Sequence, residues 1–74
     1  MSYLAIERDF IKGREHLYYL IEYENDGTGE IIASYSIKTD KLTIRKASNY
    51  IPLTTQLRGF IAEARTHYKE KNYE

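Results

Sequence analysis

Seventy-four residues, 42% hydrophobic and 30% charged, suit one small folded domain and exclude a disordered chain. The complete lack of cysteine removes disulfides, thiolate chemistry and cysteine-bound zinc. A net charge of +0 gives no general attraction to polyanions, yet the charge is unevenly placed. Residues 1–30 hold seven acidic against three basic side chains, and residues 31–74 hold eight basic against four acidic. No apolar run is long enough for a membrane span, and Met1-Ser2 leads into a mixed segment rather than an apolar leader. A cytoplasmic protein without membrane contact is expected.

The first element, about residues 3–11, reads as a strand with Leu4, Ile6 and Phe10 on one face and Arg8 interrupting it. A two-residue type II′ turn at Gly13-Arg14 would set Lys12 opposite Glu15, Phe10 opposite Leu17 and Ile6 opposite Ile21. The second strand, about 16–24, alternates with Leu17, Tyr19, Ile21 and Tyr23 on the same side. Asn25-Asp26-Gly27-Thr28-Gly29 is the strongest turn signal, because Asp-Gly tolerates positive φ.

The third strand, about 30–38, places Ile31, Ala33, Tyr35 and Ile37 inward; a Thr39-Asp40 turn leads to a fourth at about 41–46. There Leu42 and Ile44 point in, and Lys41, Thr43 and Arg45 point out. After a linker at 47–50 and Pro52, residues Leu53, Leu57, Phe60, Ile61, Ala64 and Tyr68 share one helical face over about 53–70. Thr54 is the candidate N-cap, and Gly59 suggests a close approach to the sheet. The predicted fold is α+β: a four-stranded antiparallel β-meander (ββββα) with its C-terminal helix on one face, a single domain over 1–74.

These registers leave Tyr18, Leu20 and Ile32 on the second sheet face as apolar anchors. Lys41, Thr43 and Arg45 stand on one side, with Glu7 and Asp9 at the rim and Tyr50 in the linker. The same pattern also describes an ordinary solvated sheet face. As a docking surface it would take a protein partner or, in a homodimer, a second copy. Replacing Tyr18 and Leu20 by alanine is then expected to remove binding and leave the fold intact.

The alternative partner is nucleic acid, gripped by Arg58, Arg65 and Lys69 on the helix with Lys41 and Arg45. Glu63 and Glu70 on the same helix favour a plain solvated face instead. His16 and His67 lack metal-ligand spacing, and the serines and threonines lack a nucleophile context. Gly27-x-Gly29 opens no helix, so it is no phosphate loop. The expectation is a non-enzymatic binding protein (an adaptor, regulator or inhibitor) without cofactor or metal.

Overall fold

The computed structural model describes residues 3–45 and 52–72. Strands β1 (Tyr3–Arg8), β2 (Leu17–Tyr23), β3 (Gly29–Ser36) and β4 (Lys41–Ile44) precede helix α1 (Thr54–Asn72). The strands form one antiparallel sheet in the order β1-β2-β3-β4, and α1 covers one of its faces. This is the ββββα architecture expected from the sequence. Lys46 and the linker with Tyr50 lie outside the described residues.

Leu4, Ile6, Ala33, Tyr35 and Leu42 face α1 as the sequence pattern selected, but β2 and the start of β3 turn the other side to it. Tyr18, Leu20 and Ile32, assigned to the outer face, are 1%, 3% and 0% exposed and form the core with Ala33, Tyr35, Phe60 and Ala64. Leu4, Ile6, Leu42, Leu57, Ile61 and Tyr68 pack around them. Burying each of the large side chains contributes about 1.5–3 kcal/mol, so this set carries most of the stability.

Two local devices cause the exchange. The first is the β1–β2 connection. Gly13, at φ 94°, is the third residue of a turn closed by Arg14 N–H to the Ile11 carbonyl at 2.9 Å, a position where positive φ requires glycine. The Asp9 carboxylate accepts Ile11 N–H at 2.9 Å, and Glu15 accepts Gly13 N–H at 3.0 Å. This broader excursion replaces the two-residue turn and shifts the register by one. Arg8 therefore pairs with Tyr18 and Ile6 with Leu20. A shift of one residue turns every β2 side chain to the opposite face.

The second device is a β-bulge. Leu20 pairs with Ala33 while Ile21 pairs with Ile31, which leaves Ile32 as an extra residue in β3. Ile32 and Ala33 both reach the core, whereas Ile31 joins Ile21 on the opposite face. Strand β3 thus changes its buried side part-way along.

The remaining turns follow from their residues. Gly27 N–H bonds the Glu24 carbonyl at 3.0 Å, Glu24 N–H bonds the Thr28 carbonyl at 2.9 Å, and Gly27 has φ 91°. This is a three-residue hairpin loop ending in a glycine bulge. A four-residue loop ending at Asp40, φ 53°, replaces the Thr39-Asp40 turn and sets Tyr35 opposite Leu42. It moves that register by two, which keeps Lys41, Thr43 and Arg45 outward and exposed.

Helix α1 starts with Leu53 as its N-cap. The Leu53 carbonyl accepts Leu57 N–H at 3.0 Å, and Gln56 reaches back to Leu53 N–H at 2.7 Å, half of a capping box. Leu53 is 65% exposed and leaves the predicted core face. Gly59 is exposed with no atom near its missing Cβ, so it serves no close approach to the sheet. Among the described residues, no helix is long and apolar enough to cross a membrane.

Candidate docking surface

Register places the outer side chains in rows across the sheet. Tyr3, Tyr23 and Gly29 form one row; Ala5, Ile21 and Ile31 form the next; Glu7, Tyr19, Ser34 and Thr43 follow. Asp9, Leu17, Ser36 and Lys41 complete the set, with Asp9 N–H bonded to the Leu17 carbonyl at 2.9 Å. Helix α1 lies on the other side, so a face rich in tyrosine and isoleucine stays open.

Its polar groups are paired in a way that holds the rings in place. The Tyr19 hydroxyl donates to Asp9 Oδ2 at 2.5 Å, and the Tyr23 hydroxyl donates to Glu7 Oε2. Tyr3 stacks on Tyr23 with centroids 5.5 Å apart, and the Tyr23 ring lies over Gly29, where an added Cβ would come within 2.6 Å of it. Beside them Phe10 is 93% exposed and Ile11 47%. Phe10, Tyr19, Ile21 and Ile31, with Glu7 and Asp9, wall a cleft of about 310 Å³. A water-facing phenylalanine beside a cleft of isoleucine and tyrosine is the feature most in need of a partner.

Hydrogen bonding also tunes the ionisation here. The Tyr19 hydroxyl and then the Ile11 N–H hold the Asp9 carboxyl below the usual carboxylate range. The bond to Asp9 raises Tyr19 and the bond to Glu7 raises Tyr23, whereas burial is the main cause for Tyr18 and Tyr35. A phenol whose folded pKa is raised stabilises the fold fully below its unfolded value of about 10 and loses that contribution as pH climbs through the folded pKa. Alkaline titration followed by tyrosinate absorbance should therefore show these four of the eight tyrosines ionising late, together with unfolding. A single common step near pH 10 would show the pairings to be absent.

The covered face has polar anchors of its own. Tyr18 and His67 Nδ1 share a hydrogen bond of 2.7 Å, with the rings edge-on at 5.6 Å. This ties α1 to β2 and gives His67 a structural place. The Arg8 guanidinium lies 5.6 Å from the centre of the Tyr68 ring. Arg65 bonds Asp40 at 2.8 Å and the Tyr35 hydroxyl at 3.2 Å, and Tyr35 in turn donates to Asp40. Arg65, a candidate phosphate contact, is thus already committed to a carboxylate. Arg58 lines the shallow cleft beside it, and Lys69 is exposed farther along α1.

The structure consequently separates the residues singled out in the sequence. Glu7 and Asp9 do lie on the open face, and Lys41, Thr43 and Arg45 stand on its opposite side. The apolar groups between them are the partly exposed Tyr19 and Ile31, with Ile21, only 9% exposed, beneath them, in place of Tyr18, Leu20 and Ile32 on the helix side. A usable signal was present: β2 reads Leu-Tyr-Tyr-Leu-Ile, apolar on both faces, and one helix can cover only one of them. Among the described residues, no three His, Cys, Asp or Glu side chains gather as a metal site. Comparison with known protein families, curated proteins and solved structures finds no match to this chain.

Proposed function

We propose that the protein is a non-enzymatic binding module that engages another protein chain through the open sheet face. The observation that carries this reading is Phe10, 93% exposed beside the Tyr19–Ile21–Ile31 cluster that α1 leaves uncovered. Aromatic and aliphatic anchors ringed by charge are the composition of a protein-binding patch. The exposed Glu7 on the β1 side of this face opposes a phosphate backbone, and Arg65 on the helix is already paired with Asp40, which together favour protein over nucleic acid as the partner.

The test is a photo-cross-linking amino acid at Phe10, compared with one at the exposed helix position Glu63. Products from position 10, with none from position 63, are expected when the protein is irradiated in an extract of its native cells. Products from position 63 alone would put the binding surface on the helix.

A further inference from the structure

The open face carries opposite charges on its two sides. Glu7 of β1 and Thr43 of β4 end the same row across the sheet, and Lys41 and Arg45 flank Thr43 on the outward side. A two-fold axis running along the strands, between two sheets packed face to face, would lay β1 of one copy over β4 of the other. Each Glu7 would then meet the Lys41 and Arg45 side chains opposite, once at either end of the interface. Between these ends β2 of one copy would lie over β3 of the other, so that Ile21 would face the partner's Ile31 and Tyr19 the partner's Ser34. A uniformly basic or acidic partner would match one side of the face and be repelled by the other.

We infer that the occupant of this face is a second copy of the chain, joined in a two-fold, face-to-face dimer. The inference rests on the binding-module reading above and specifies its partner. Sheets pack face to face about 10 Å apart with strands nearly aligned, which is the geometry this symmetry produces. Four strands spaced about 4.8 Å apart make a patch roughly 20 Å across, at the small end for a specific interface, so reversible association is expected.

Sedimentation equilibrium up to roughly millimolar protein tests the idea. The native chain should dimerise, and Glu7→Lys and the double variant Lys41→Glu/Arg45→Glu should each weaken self-association at least about tenfold. Mixing the two should restore the dimer, because both ends of the mixed pair regain opposite charges. Should Glu7→Lys fail to fold, Glu7→Gln keeps an acceptor for Tyr23 while removing the charge, and weaker association is expected of it too. A dimer indifferent to these changes overturns the proposed face. A native chain that stays monomeric overturns self-association; cross-linking from Phe10 to a different protein would then preserve the module reading, and no cross-linking would remove both.

Discussion

Replacing Tyr18 by alanine should remove a large part of the protein's stability and lower its unfolding midpoint far below the native one. The ring is 1% exposed among Leu20, Tyr35 and Phe60, and truncating a buried aromatic to alanine costs about 3–5 kcal/mol. At about 0.05–0.15 kcal/mol per residue, a chain of this length holds roughly 4–11 kcal/mol in all. Tyr18→Phe keeps the ring and gives up only the bond to His67, an expected cost of about 1 kcal/mol. Urea unfolding followed by circular dichroism separates the two variants. If Tyr18→Ala unfolded at the native midpoint, the ring could not be in the core.

A second contrast sets neighbouring residues against each other. Ile32→Asp places a carboxylate at a fully buried position facing the helix, and loss of the folded state is expected, at more than about 4 kcal/mol. Ile31→Asp puts the same group on the open face, so the fold should survive with a cost near 1 kcal/mol while partner binding is lost. Without the bulge, the two residues would exchange roles. Thermal melts of both variants, with a binding assay on the survivor, decide which way β3 is turned. The reverse order, with Ile31→Asp the more damaging of the two, would rule out the bulge.

Architecture was legible in the sequence because it depends on signals that stay local. Asn25-Asp26-Gly27 made its hairpin, and Phe60, Ala64 and Tyr68 marked the inner stripe of α1. The face of β2 was not legible in the same way. Leu17, Tyr19, Ile21 and Tyr23 offer one apolar row and Tyr18 with Leu20 another, so alternation does not choose between them. The choice passes to the β1–β2 connection, where the side chains of Asp9 and Glu15 build a wider turn than the glycine suggests. The bulge at Ile32 has no composition cue beyond an Ile-Ile pair. Consistent pairing of three hairpins was a weak guide, because moving β2 by one residue yields another arrangement that is consistent as well.

The order of elements along the chain also bears on how the protein is made. Every strand pairs with its neighbour in sequence, so the sheet can assemble by short loop closures as synthesis proceeds. The helix that shields Tyr18, Leu20 and Ile32 is synthesised after all four strands. At about 5–20 residues per second, its completion trails that of the sheet by roughly one to several seconds. During that interval the nascent sheet has two apolar faces and two unpaired edges. Neighbouring nascent chains are then sticky to each other, and slowing translation through residues 54–72 should raise the aggregated fraction.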